Sequence, residues 1–120
     1  MDRFFYYKIK KLHWQEKLEN LASTLAEIST QAKFPKQDRL TLKLLREAAL
    51  IIEWGISEVP EIYHLELTAM QRECVEWCRV YPVEQARHIL ALHSQSQSDR
   101  VLQMSGLLTS EEPVEQLAQN

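Results

Sequence analysis

The side chains in this sequence that suit chemistry are few, and the first group joins thiols to imidazoles. Cys74-x3-Cys78 followed by His88-x4-His93 offers the thiolate and imidazole donors that tetrahedral zinc prefers. Helical spacing works against such a site. Residues at i and i+4 share a face, whereas His88 and His93 stand at i and i+5 and point about 140° apart. Cys74 also falls in an apolar stripe, where a small buried thiol is the ordinary reading. Glu61-Ile62-Tyr63-His64 has the Glu-x-x-His spacing with which helical bundles hold paired iron ions, but such a site needs a second motif and further inward glutamates. The sequence has no second motif. Glu84 and His88 are four apart, and Glu53 beside Trp54 does not replace the missing ligands. A helix-end histidine satisfied by its neighbours, with solvated glutamates, is the simpler assignment.

Nucleophilic catalysis would need a Ser or Cys presented on a strained turn such as Gly-x-Ser-x-Gly, with a base and an orienting acid. No such turn occurs, and the isolated glycines Gly55 and Gly106 cannot form a phosphate-cradling loop. The sequence therefore offers no catalytic, cofactor-binding or metal-binding residues, and a non-enzymatic protein is expected.

The second group interleaves cations with aromatic rings: Arg3, Phe4, Phe5, Tyr6, Tyr7, Lys8, Lys10, Lys11, His13 and Trp14. Charges for phosphates beside planar faces for base stacking are what single-stranded nucleic acid asks of a protein. Lys33, Lys36, Arg39, Lys43 and Arg46 extend the positive character. The alternative use of Phe4 to Tyr7 is as a plug for the open end of a helical bundle, with the lysines left in solvent. If it is not a plug, this segment with its basic extension is the candidate interaction surface, for nucleic acid or for a partner protein.

The elements that must position these residues are helices. Two Gly and four Pro in 120 residues cannot supply the tight turns of a β-rich fold. From about 9 to 33, Trp14, Leu18, Leu21, Leu25, Ile28 and Ala32 alternate in steps of four and three, the seam of a packed helix. Phe34-Pro35 stops it, and Asp38 is expected to cap the next helix, about 38 to 57. That helix is apolar nearly all round, from Leu40 to Ile56, so it should be buried by several neighbours at the centre of the fold. Val59-Pro60 ends it, and a third helix, about 60 to 81, repeats the four-three seam with Tyr63, Leu67, Met70, Cys74, Trp77 and Tyr81.

Pro82 opens a fourth, shorter helix, about 83 to 96, whose inward residues are expected to be Val83, Ala86, Ile89, Leu90 and His93. The run Ser94-Gln95-Ser96-Gln97-Ser98 reads as a polar linker over 94 to 99. Beyond it, Val101, Leu102, Met104, Leu107 and Leu108 suggest a short helical piece, and Thr109 to Glu112 has capping-box spacing before a last weak helix. The expectation is one all-α domain over residues 1 to 120: a compact bundle of four main helices plus one or two short C-terminal ones.

Charge adds the remaining information. Residues 1 to 46 carry 10 Lys+Arg against 5 Asp+Glu, a net of +5, and residues 47 to 120 carry 4 against 12, a net of -8. Halves of opposite sign point to a polyanion partner or to surfaces that meet in an assembly. No run approaches the roughly 18 apolar residues of a membrane span, and the N-terminus has no long apolar segment of the secretory kind. Cys74 and Cys78, four apart on one helix, make a poor disulfide, which fits reduced thiols in a cytoplasm. The sequence is thus expected to serve as a small helical subunit or adaptor acting through a protein partner or self-association, with binding of RNA or single-stranded DNA as the alternative.

Overall fold

The computed structural model describes residues 3 to 106. Among these there is no strand, and the chain is an all-α bundle: α1 (Arg3–Lys10), α2 (Trp14–Gln31), α3 (Asp38–Gly55), α4 (His64–Val80) and α5 (Arg87–Ser105). Short 3-10 turns at Pro35–Gln37, Glu61–Tyr63 and Glu84–Ala86 lead into α3, α4 and α5. No described helix is long and apolar enough to cross a membrane.

The stretch expected as one helix from residue 9 is two, broken at Lys11 to His13. The break is made by His13, which caps α2 in an extended conformation. Its Nδ1 accepts from the Gln15 N–H at 3.4 Å, and its own N–H donates to Glu16 Oε1 at 3.0 Å. This is a capping box built on an imidazole, a residue type that sequence rules for caps do not favour.

The seam of α2 is buried as its spacing requires: Leu18, Leu21, Leu25, Ile28 and Ala32 are all inside, and Trp14 packs at the edge. Helix α2 packs on α5 and α3, while α3 also meets α4 and α1, so the nearly uniform apolarity of α3 is matched by neighbours on three sides. The seam of α4 faces inward through Leu67, Met70 and Cys74, with Tyr63 and Trp77 half-buried at its ends.

The polar linker expected at 94 to 99 does not exist, because α5 runs unbroken through it to Ser105. Its serines are the reason. Ser94 and Ser98 are buried, and Ser98 Oγ donates to the Ala22 carbonyl of α2 at 2.7 Å. Reciprocally, Ser29 Oγ of α2 donates to the Ala91 carbonyl of α5 at 2.6 Å. Small hydroxyl residues let the two backbones approach and then bond across the gap, so a run that looks like loop composition is a helix-packing face. The inward face of α5 is accordingly Arg87, Leu90, Ala91, Ser94, Ser98, Val101 and Met104. Of the residues expected inside, Leu90 is buried, whereas Ile89 and His93 are exposed. Helix α5 ends at Gly106, whose φ of 86° is the left-handed conformation that a side chain disfavours. Leu107, Leu108 and the capping-box segment lie outside the described residues.

Candidate interaction surfaces

Two buried charges organise the ends of the bundle, and neither stood out in the sequence. Lys17 is almost fully buried on α2, its amine paired with Glu58. Its stem lies over Gly55, where a Cβ would come within 3.0 Å of Lys17 Cδ, so glycine there makes room for the lysine. The Lys17 hydrogen bond holds the Glu58 carboxyl below its ordinary range.

At the other end, the Arg87 guanidinium bridges both Asp38 oxygens, at 2.6 and 3.0 Å. It also donates to Glu84 at 3.0 Å, to Tyr81 Oη at 2.9 Å and to the Ala32 carbonyl at 3.3 Å. Tyr81 Oη donates to that same carbonyl at 2.8 Å. Asp38 is therefore not the cap of α3. It is the first residue of the helix, the cap position is Gln37 without a side-chain bond, and the carboxylate is spent on Arg87. The hydrogen bond from Arg87 pulls the Asp38 pKa down, and the same contact raises that of Arg87.

The residues of the candidate metal patterns are used in other ways. His64 Nε2 donates to the Val59 carbonyl at 2.7 Å, the helix-end arrangement expected of it. His93 Nε2 lies 2.8 Å from Glu73 Oε1, and His88 is exposed on α5. Burial pushes the Cys74 thiol up to about 12, and Cys78, half-buried, is also raised by burial. Neither is an activated nucleophile. Among the described residues no three His, Cys, Asp or Glu side chains converge as a ligand set.

The N-terminal segment divides between its two expected uses. Phe5 and Tyr6 plug the bundle, their ring centroids 5.6 and 5.0 Å from that of Trp54, and Ile9 is fully buried. Phe4 and Tyr7 instead face outward, 87% and 62% exposed. Arg3, Lys8, Lys10 and Lys11 are exposed with them, and Trp14 is half-buried beside His13. Phe4, Phe5 and Lys8 of α1 line a groove with Lys43 and Glu47 of α3. Arg39, Lys43 and Arg46, spaced by four and three, run along one side of α3, and Lys33 and Lys36 lie exposed at the turn before it. The candidate residues thus form a strip along α3 that α1 continues, while Lys10 acts near Glu58 at the far end.

A second surface was not anticipated. Helices α4 and α5 run antiparallel and are joined across a groove of about 290 Å3 lined by Glu66, Ala69, Met70, Glu73, His93, Ser96, Gln97 and Arg100. Arg100 holds Glu66 with two bonds of 2.7 and 3.0 Å, and the Arg100 contact lowers the Glu66 pKa. Glu73 accepts from Gln97 at 2.7 Å as well as meeting His93. The exposed apolar side chains Ile62, Leu65, Val75, Val80, Ile89 and Leu92 all belong to this hairpin or to the turn that leads into it. Leu65 and Leu92 stand four residues before Ala69 and Ser96, so each rises from the helix face that lines the groove.

The fold and these surfaces define a helical bundle with two exposed aromatic or apolar ridges. Comparison with protein-family models, with curated proteins and with solved structures finds no match to this chain.

Proposed function

We propose that this chain is a non-enzymatic helical subunit of the cytoplasm that works by association with protein surfaces, using the outward face of the α4–α5 hairpin. The observation that carries the reading is that Leu65 and Leu92 are 86% and 75% exposed on the two helices that flank the groove, with Val75, Val80 and Ile89 exposed elsewhere on the same pair of helices. Single apolar residues scattered on a surface need no explanation, but several on one pair of helices, with a groove between them, mark a contact surface. The test is the elution of the tagged full-length chain from extract of the cells that make it. The chain should elute well above its own 14.1 kDa, and Leu65→Glu with Leu92→Glu should return it to the mass of one chain. Elution of the unaltered chain as a monomer would refute the reading.

A second reading, nucleic-acid association, is supported by a separate observation: exposed Arg39, Lys43 and Arg46 follow one another along α3, with Lys36 exposed at the turn before it and Phe4, Tyr7 and Phe34 also exposed. Cations that track a backbone beside open rings are the ingredients of single-strand binding. Fluorescence anisotropy with a labelled single-stranded oligomer tests it: binding should weaken steeply with salt and vanish in Arg39→Glu with Arg46→Glu. Binding that survives those changes would dismiss it.

A further inference from the structure

The outward ridge of α1 and the groove of the α4–α5 hairpin agree in length and complement one another in charge, yet they belong to different parts of the bundle. We infer that α1 of one copy seats in the α4–α5 groove of a second copy, joining chains head to tail. The inference rests on the reading that the hairpin face is an association surface, and adds its occupant.

The ridge is Phe4, Tyr7, Lys8 and Lys11, at i, i+3, i+4 and i+7, which is the anchor spacing of a helix laid in a groove. Helix α1 presents that ridge from a fixed position, because Phe5 and Tyr6 pack on Trp54 and Ile9 is buried beneath. No segment has to peel away, so little ordering cost attends the contact. The receiving groove is lined by the small or adaptable residues Ala69, Ser96 and Met70, and exposed Leu65 and Leu92 stand one helical turn before Ala69 and Ser96. Lengths agree: the 8 residues of α1 span about 12 Å, and the stretch from Glu66 to Glu73 on α4 has the same number of residues and the same span.

Charge selects a second copy as occupant and fixes the orientation. Glu73 bonds to His93 and Gln97, with no Lys or Arg partner among the described residues. Helix α1 carries Arg3, Lys8 and Lys10 and no acid. The same asymmetry holds for the whole chain, +5 over residues 1 to 46 and -8 over residues 47 to 120. A two-fold pairing of hairpin faces would set Glu73 against the carboxylates of its twin, and a pairing of α1 ridges would set lysines against lysines, so like charges oppose both. Ridge into groove instead sets the lysines of α1 near Glu73, while Arg100 in the groove stays paired with Glu66. Each copy then keeps one unused ridge and one unused groove, and the contact propagates into a ring or a filament.

Sedimentation of the purified full chain, with two complementary variants, tests this. The ridge variant carries Tyr7→Ser and Lys8→Ser; the groove variant carries Glu73→Lys and Leu92→Lys. The unaltered chain should grow in mass as its concentration rises to ~100 µM, the regime in which a small interface is populated, and should dissociate between ~50 and ~500 mM salt. Each variant alone should stay a monomer with unchanged helical circular dichroism. Mixed, they should form a species of twice the 14.1 kDa chain mass and nothing larger, because one supplies an intact groove and the other an intact ridge. An unaltered chain that stays monomeric, or a mixture that does not pair, would overturn the inference. A ridge variant that still self-associates while the groove variant does not would overturn it too, and would leave the hairpin face as an association surface for another occupant.

Discussion

Leucine in place of Ser98 should be among the most damaging single changes in α5. Ser98 is 3% exposed and its hydroxyl donates to the Ala22 carbonyl at 2.7 Å, where Ala22 is itself buried. Losing the bond costs about 1 kcal/mol. Three added carbons between two helices held close by small residues add about 1–3 kcal/mol of overpacking. The sum is about 2–4 kcal/mol. With a urea dependence near 2 kcal/mol/M for a chain of this size, the unfolding midpoint falls by about 1–2 M. Ser98→Ala isolates the hydrogen bond and should lose about 1 kcal/mol, while Gln95→Leu, on the exposed side of the same helix, should change stability by less than about 0.5 kcal/mol. The assay is urea unfolding followed by circular dichroism at 222 nm. Equal midpoints for Ser98→Leu and Gln95→Leu would show that the segment behaves as a solvated connection, and would refute the packing of α5 on α2.

Two further outcomes follow from the buried charges. Because Arg87 lowers the Asp38 pKa below its ordinary 3.8, the stabilisation is complete above the unfolded value and is lost as pH falls through the folded one. Asp38→Asn should therefore lower the urea midpoint at pH 7 and flatten its fall between pH 5 and pH 2; an unchanged acid limb would refute that role. Lys17→Met keeps the buried stem over Gly55 and removes the charge, so stability should stay within about 1 kcal/mol, whereas Glu58→Ala leaves a buried ammonium without its partner and should cost more. Thermal unfolding of the two variants checks the order, and the reverse order would dismiss the pairing as a source of stability.

The parts of the fold that could be read from the sequence are those whose inward face is aliphatic. Helices α2 and α4 announce themselves through Leu, Ile, Met and aromatic residues at alternating steps, and α3 through apolar residues on every side. Helix α5 does not, because its packing face is Ala91, Ser94 and Ser98 around a buried Arg87. Hydropathy scores those residues as surface or loop, while the physical basis of their burial is close approach and hydrogen bonding to α2. The same blindness hid Lys17, although its place four residues before Leu21 on the seam of α2 was a signal in plain view. As for the interaction surfaces, α1 was legible from composition, but not the division of its rings between plug and ridge, which depends on where Trp54 arrives. The α4–α5 groove was not legible at all. It arises from the spacing between two consecutive helices, which hydropathy does not encode, and its polar clasps join residues 20 to 34 positions from one another.

The Arg87 cluster has a consequence for how the molecule opens. Four stretches of chain, the end of α2 at Ala32, the start of α3 at Asp38, the approach to Pro82 at Tyr81 and the start of α5, are tied to one guanidinium. The connections from Ala32 to Asp38 and from Tyr81 to Arg87 therefore cannot loosen one at a time. Amide exchange in the two should be slow and concerted, unlike the independent fraying of ordinary helix ends. At the opposite end, the buried Lys17 ties the start of α2 to Glu58 beyond the end of α3, and Gln15 donates to the Ser105 carbonyl at 3.3 Å. Charge is thus buried at both ends of the bundle, and each clasp ties together the ends of helices that would otherwise fray one by one.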